Sequence, residues 1–332
     1  MVTGNAAAAA TGTAPRRRRA AVTVASALLL VATVPLVFRA AGSDGVTPVP
    51  QLLAFLPWLL VPAGLGLVLS LAARWRPGLF WAAAVLLGLT AFVRPYGGDG
   101  PAPHGPPLAR LRVLTANLEF GRATDGLLAA LRRERPDLVA VQECDPERCA
   151  AALASPAVRA AYPFRILAGH GASEGSAVLS RFPLRPDGAV PGELAMPRAA
   201  VTVSGRRLRF QVAHPMPPLP GSLHAWRTEL GRLRDLAASR GAEPLVMAGD
   251  FNSSQDHAAF RSVLHTGLRD SAAATGSPRT PTWPARTAPV LGTQIDHILV
   301  GDALRPRTAR FLDLPGSDHR GLVADLELYA AR

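Results

Sequence analysis

The chain has 332 residues, a formal net charge of +12 carried wholly by arginine on the basic side, and only two cysteines. Hydrophobic residues make up 48% and charged residues 18%, which excludes an extended disordered chain, and two cysteines exclude a small disulfide scaffold. Residues 1–100 hold eight Arg against Asp44 and Asp99, leaving 28 Arg against 22 acids beyond them, a modest excess that suits a polyanionic substrate or an anionic membrane surface as readily as plain solubility.

Composition divides the chain near residue 95. A basic N-terminus, residues 1–19 with Arg16 to Arg19, precedes three apolar runs at 20–38, 51–73 and 78–93. The first two are long enough to cross a hydrocarbon core of roughly 30 Å at about 1.5 Å per residue, and the third is the shortest. The expectation is three transmembrane helices. A signal peptide cleaved near Ala40 and Ala41 is the alternative for the first run. Arg16 to Arg19 precede span one and Arg74 and Arg76 separate spans two and three, so the positive-inside bias puts the N-terminus in the cytoplasm. Three crossings then make a multi-pass protein of a bacterial cell membrane with the following domain outside; two crossings would put it inside.

Residues 95–107 read as a Pro/Gly linker, and residues 108–332 alternate strand-like and helical runs, enough for one α/β domain. Helical periodicity is clearest at 124–136, 223–241 and 254–266. Cys144 and Cys149 flank an Asp-Pro turn in ECDPERC; in an exported domain they could pair, and a free pair is the alternative. Zinc is disfavoured, because no histidine lies near the two thiols.

Six polar islands recur along this domain: Asn117, Glu143, His214, Asp250 with Asn252, Asp296 with His297, and Asp318 with His319. Nearly all end an apolar strand-like run, as in RLRVLTAN, PDLVAVQE, RLRFQVAH and EPLVMAGDFN. Strands that each deliver one such group to a common edge can build a site for a hard divalent cation and a phosphate. Glu143 is the first choice of metal ligand, since a carboxylate ending a buried strand offers the oxygen that Mg²⁺ or Mn²⁺ prefers. Asn117 and Asp318 are expected to complete the coordination or hold its waters.

Residues 110–330 resemble the endonuclease/exonuclease/phosphatase superfamily, which includes DNase I, AP endonucleases, inositol-polyphosphate phosphatases and bacterial sphingomyelinases. The resemblance is carried by T-A-N at 115–117, V-Q-E at 141–143, V-L-S-R at 178–181, A-H-P at 213–215, G-D-F-N at 249–252, I-D-H-I at 295–298 and S-D-H at 317–319. It implies an α/β fold, a four-layer sandwich of two mixed β-sheets flanked by helices, with the site at one edge. It also implies that Asp250 and Asn252 orient the attacking water and bind a phosphoryl oxygen. His319, supported by Asp296, would act on the phosphorus centre, and His214 would be a second imidazole, paired with Glu174. Thr282 and Trp283 stand where the family often lines its substrate pocket, although packing would equally explain them. Glu119 only half preserves the acidic feature of AP endonucleases. His297 is expected to be structural, and His170, His224, His257 and His265 to be surface or satisfied residues.

The loops at 185–198 and 214–226 are Pro-rich and poor in charge, unlike the basic and aromatic loops that grip nucleic acid. With the apolar runs and a short linker, this favours a substrate held at the lipid bilayer. The layout resembles the actinobacterial VanJ-type proteins associated with teicoplanin resistance, which implies a phosphatase acting on a lipid-linked phosphate such as undecaprenyl pyrophosphate. The alternatives are a phosphodiesterase cutting phospholipid head groups or extracellular nucleic acid, and an exported scaffold or antibiotic-sequestering protein without catalysis. The last predicts loss of at least one of Glu143, Asp250, Asn252, Asp318 and His319, and all five are present.

Overall fold

The computed structural model describes residues 13–94, 96, 105–287 and 290–330; residues 1–12 of the basic N-terminus and residues 95 and 97–104 of the linker lie outside them. The chain divides into two units, Met1–Arg94 and Pro95–Arg332.

Of the three expected spans, the described residues show two as long helices and the middle run as a broken one. Two helices are long and apolar enough to cross a membrane, α1 (Thr13–Ala40) and α4 (Arg76–Val93). The run between them is broken into α2 (Val49–Ala54), a 3₁₀ turn at Leu56–Leu59 and α3 (Leu60–Ala72). Pro57, which has no N–H to donate, sits at the start of the 3₁₀ turn, and α3 alone rises only about 20 Å. The run that looked shortest is instead an unbroken helix, lengthened at its start by Arg76 and Pro77. Ala32, Leu53, Leu56, Ala63, Val85 and Leu89 form the unit's core, and Gly66 lets Leu29 approach, since a Cβ there would lie 2.8 Å from its side chain. Val24, Val31, Val37, Leu65, Val68, Phe80 and Leu87 point outward, an apolar exterior that water does not favour and lipid does.

The second unit contains β1 (Ala109–Asn117), α5 (Thr124–Glu134), β2 (Leu138–Gln142), α6 (Ala151–Leu153), α7 (Pro156–Ala161), β3 (Phe164–Ala168), β4 (Ser176–Ser180), β5 (Leu184–Val190), β6 (Met196–Val203), β7 (Arg206–Ala213), α8 (Leu223–Ala238), β8 (Leu245–Asp250), α9 (Ala258–Leu264), β9 (Arg269–Asp270), α10 (Ser271–Ala274), β10 (Asp296–Val300), β11 (Leu304–Asp313) and β12 (Arg320–Leu328). They form two six-stranded mixed sheets, ordered β11-β12-β1-β2-β4-β3 and β5-β6-β7-β8-β10-β9.

Three apolar clusters account for the layering. One lies between the sheets, one packs α5 on the first sheet, and one packs α8 and α9 on the second. Strand β2 shows why its sequence is an uninterrupted apolar run: Leu138 and Ala140 enter the central core while Val139 and Val141 enter the helical one. Strand β8 repeats this, with Val246 and Ala248 inward and Leu245 and Met247 beneath the helices. Each sheet contains one parallel pair, β1 with β2 and β7 with β8. Parallel strands end on the same side, so Asn117 and Glu143 leave one sheet where His214 and Asp250 leave the other.

Candidate active site

Asn117, the last residue of β1, is fully buried and splits its amide between the two halves of the site: Nδ2 donates to Glu143 Oε1 and to Asp250 Oδ2, both at 3.1 Å. Its Oδ1 accepts from the Glu119 N–H at 3.0 Å. Glu143 follows β2 with φ +53°, a left-handed conformation that turns its carboxylate back over the strand ends, where Oε2 accepts the Phe120 N–H at 2.8 Å. The following segment is held by the Cys144–Cys149 disulfide and by the Asp145 carboxylate, which accepts from the Arg148 and Cys149 N–H groups.

On the second sheet, Asp250 needs the glycine before it: a Cβ at Gly249 would lie 1.9 Å from the Ala213 carbonyl oxygen on the paired strand. Asp250 Oδ1 accepts the Asn252 N–H at 2.8 Å, and Asn252, at φ +47°, donates Nδ2 to the Pro215 carbonyl just after His214. Asp296 opens β10 opposite Asp250 in the register. Its Oδ2 lies 2.9 Å from His319 Nδ1, which leaves His319 Nε2 facing Asp250 Oδ2 at 3.7 Å and Asp318 Oδ1 at 3.9 Å. Both gaps at Nε2 are too long for hydrogen bonds. Asp318 receives Trp283 Nε1–H on its other oxygen at 3.0 Å and is partly open to solvent.

Burial sets the electrostatics. It pushes Asp250 up, to about 7, and raises Glu143 as well, the latter opposed by the Asn117 and Phe120 donors. Burial also opposes charge on His319, but the Asp296 and Asp250 carboxylates outweigh it and raise the imidazole to about 10. His214, enclosed and without a carboxylate bonded to it, is lowered by burial to about 3 and stays neutral.

The donor set fits a divalent cation. Glu143, Asp250, Asp296 and Asp318 bring four carboxylates against one protonated imidazole, and Asp296 Oδ1 and His214 Nδ1 are buried with no hydrogen-bond partner. All the carboxylates are hard oxygen donors, as magnesium or manganese requires. Among the described residues, Asp250, Asp296 and His319 bring one possible ligand atom each within 4.8 Å of one another. Within that group His319 Nδ1 and Asp296 Oδ2 are already committed to each other.

Two expected residues stand differently. Glu174 is exposed in the loop before β4 and, among the described residues, makes no hydrogen bond or ion pair to His214; Gly175, closed against the Cys144 carbonyl, fixes that loop so that burial begins at Gly175, one residue too late for Glu174. Thr282 is fully buried and its hydroxyl accepts the Ile295 and Asp296 N–H groups, so it braces β10 from behind. His297 points the other way from Asp296, with Nδ1 on Asp270 at 2.7 Å and Nε2 on the Ser253 carbonyl at 3.0 Å. His257 is buried and accepts the Ser254 N–H, while His170, His224 and His265 are exposed.

Other supporting residues were not anticipated. Ser317 Oγ donates to the Asn117 carbonyl and accepts the His319 N–H, tying the β11–β12 loop to the end of β1 within the first sheet. Trp226 on α8 donates Nε1 to Ser253 Oγ at 2.9 Å, and buried Glu229 accepts the Met216 and Glu193 N–H groups. The signal for Glu229 was available: it falls at helical spacing on the buried face of Trp226, Leu230, Leu233 and Ala237.

A family model described as Endonuclease/Exonuclease/phosphatase family matches residues 114–319. No curated protein matches the sequence. Among solved structures, D. rerio TDP2 humanized by 14 mutations is similar with a TM-score of 0.54 at 17% identity, over 66% of this chain and 99% of that one. D. rerio TDP2 complexed with single strand DNA product gives 0.53 and 17%, over 66% and 99%. An endonuclease/exonuclease/phosphatase from Beutenbergia cavernae gives 0.53 and 22%, over 67% of this chain and 72% of that one. At these identities the likeness is one of fold.

Proposed function

The chain belongs to the endonuclease/exonuclease/phosphatase family, and we propose that it is a membrane-anchored, outward-facing, divalent-metal-dependent phosphoesterase of a bacterial cell membrane whose substrate is a lipid-linked pyrophosphate such as undecaprenyl pyrophosphate, with a role in glycopeptide resistance. The observation that carries the chemistry is the placement of Asp250 Oδ2 and Asp318 Oδ1 at 3.7 and 3.9 Å from His319 Nε2, with Asp296 fixing the imidazole through its other nitrogen.

A divalent cation, when bound, neutralises phosphoryl oxygens and stabilises the charge that develops on them. Glu143 and Asp318, with the side-chain Oδ1 of Asn117, would hold it. Asp250, held by the Asn252 N–H, orients the attacking water and takes its proton as the new O–P bond forms. Its raised affinity for a proton suits that task. The protonated His319 stabilises the five-coordinate phosphorus, and the bridging P–O bond breaks to release phosphate.

The substrate reading is supported by the apolar exterior of α1 and α4. The outward side is supported by the arginines in the first turns of α1, by the disulfide, which oxidising compartments preserve, and by the interrupted segment Leu56–Ala72. Four residues at about 2.0 Å and thirteen at about 1.5 Å give that segment roughly 27 Å, enough for a third crossing as a broken helix packed against its neighbours. The second reading, cleavage of phospholipid head groups or nucleic acid, draws on the DNA-bound relative and is opposed by the uncharged stretch His214–Leu223. The deciding experiment gives purified full-length protein, with Mg²⁺ or Mn²⁺, undecaprenyl pyrophosphate, sphingomyelin, a phosphoinositide and DNA. Phosphate release from the first alone is expected; preferential cleavage of DNA would overturn the substrate reading.

A further inference from the structure

The loop after β1 is strained, and the strain that aims the Phe120 N–H at Glu143 leaves the Phe120 side chain facing out. Glu119, Phe120 and Gly121 have consecutive φ values of +46°, +57° and +76°, and only the last is the residue that tolerates this readily. For a bulky aromatic the left-handed region is an outlier, and such outliers persist where surrounding structure holds them for use. Here the hold is explicit: the Phe120 N–H bonds Glu143 Oε2, while its ring is 48% exposed. Burial does not explain the ring, since it contributes to no core cluster. Arg122 lies 5.8 Å from the ring centroid and pairs with Glu119, fixing the loop from outside.

Two more loops carry exposed large apolar residues and are rooted on the site. The loop after His214, whose Pro215 carbonyl takes the Asn252 amide, bears Leu219 at 55% exposure. The loop after Trp283, whose Ala285 N–H bonds the Asp318 carbonyl, bears Val290 at 78% and Leu291 at 45%. Exposed single apolar residues are ordinary. Three loops that each grip a site residue thus carry exposed apolar side chains, one on each of the first two and two on the third.

We infer that Phe120, Leu219 and Leu291 form an apolar lip that takes the hydrocarbon chain attached to the reacting phosphate, and so set specificity for amphiphilic over water-soluble phosphates. This rests on the proposed lipid-pyrophosphate reading and adds to it which residues read the chain. The phosphate is handled by the carboxylate edge; the lip meets what leaves that edge. Removing apolar contacts from such a surface costs about tenfold in discrimination for each methylene-sized or larger loss.

The test measures kcat/KM of full-length protein in detergent micelles on isopentenyl and farnesyl pyrophosphate. Wild type should prefer the longer chain by about tenfold or more, and Phe120→Ser/Leu219→Ser/Leu291→Ser should bring the ratio near one, with Phe120→Leu keeping most of the preference. The ratio is internal to each protein, so a general loss of turnover does not imitate the result. Leu219→Ser alone, at an exposed position, should lower the ratio in part and serves if the triple variant does not fold. A preference unchanged in both serine variants overturns the lip, as does equal wild-type use of both chains, which leaves the pyrophosphate reading standing. Failure to hydrolyse either pyrophosphate overturns that reading and the lip together.

Discussion

The two walls of the site are built by opposite means. Asp250, Asp296, His319 and His214 are buried, with Thr282 bracing Asp296 from behind, whereas Glu143 and Asp318 stand at the more open side, held by the Phe120 N–H and the Asn117 amide and by the Trp283 indole. The enclosed wall can shift proton affinities strongly, because low dielectric amplifies every charge near it. The open wall keeps carboxylates accessible to a cation and to substrate. The difference teaches that proton handling and cation binding need contrary environments, and that a sheet edge supplies both by burying one set of strand ends and leaving the other at the rim.

The largest effect should come from the enclosed wall. Replacing His319 by Gln, or Asp296 by Asn, should lower kcat/KM about 10³-fold while the protein still melts cooperatively; activity within a few-fold of wild type in folded Asp296→Asn would remove the oriented imidazole from the mechanism. Next comes the open wall. EDTA should abolish turnover and Mg²⁺ or Mn²⁺ restore it, and Glu143→Gln should cost about 10²-fold at limiting metal with partial recovery in excess. A Glu143→Gln loss that no metal concentration relieves would break the assignment. Trp283→Phe removes the indole N–H that bonds Asp318, so about tenfold more metal for half-maximal rate is expected, with kcat little changed. The smallest effect is on stability. His214 is lowered to about 3 against an ordinary value of 6.5, so below pH 6.5 the unfolded chain binds the extra proton and the native state loses ground. Relative to His214→Gln, wild type should lose about 1.4 kcal/mol of unfolding free energy per pH unit below 6.5, read from denaturant melts; a pH-independent difference would contradict a buried neutral imidazole.

The enclosed wall and the sheets were legible because strand burial leaves a plain trace: apolar runs ending in Asn117, Glu143, His214 and Asp250 say both where strands stop and what they deliver. The His319–Asp296 contact followed from the same order of motifs. What depended on loop conformation was not legible. Nothing in S-E-G says that Gly175 closes on Cys144 and leaves Glu174 outside, and no local pattern gives Phe120 its positive φ. The second apolar run failed for a related reason: hydropathy sums over a window and is blind to a single proline, yet Pro57 ends one helix and begins another.

The most direct test of the two-wall account is Mn²⁺ binding by calorimetry to Glu143→Gln and His319→Gln. The account predicts that Glu143→Gln weakens binding by about tenfold or more while His319→Gln binds like wild type and does not turn over. The reverse result, metal lost with His319 and kept without Glu143, would move the cation to the compact Asp250, Asp296 and His319 group and contradict the division of labour.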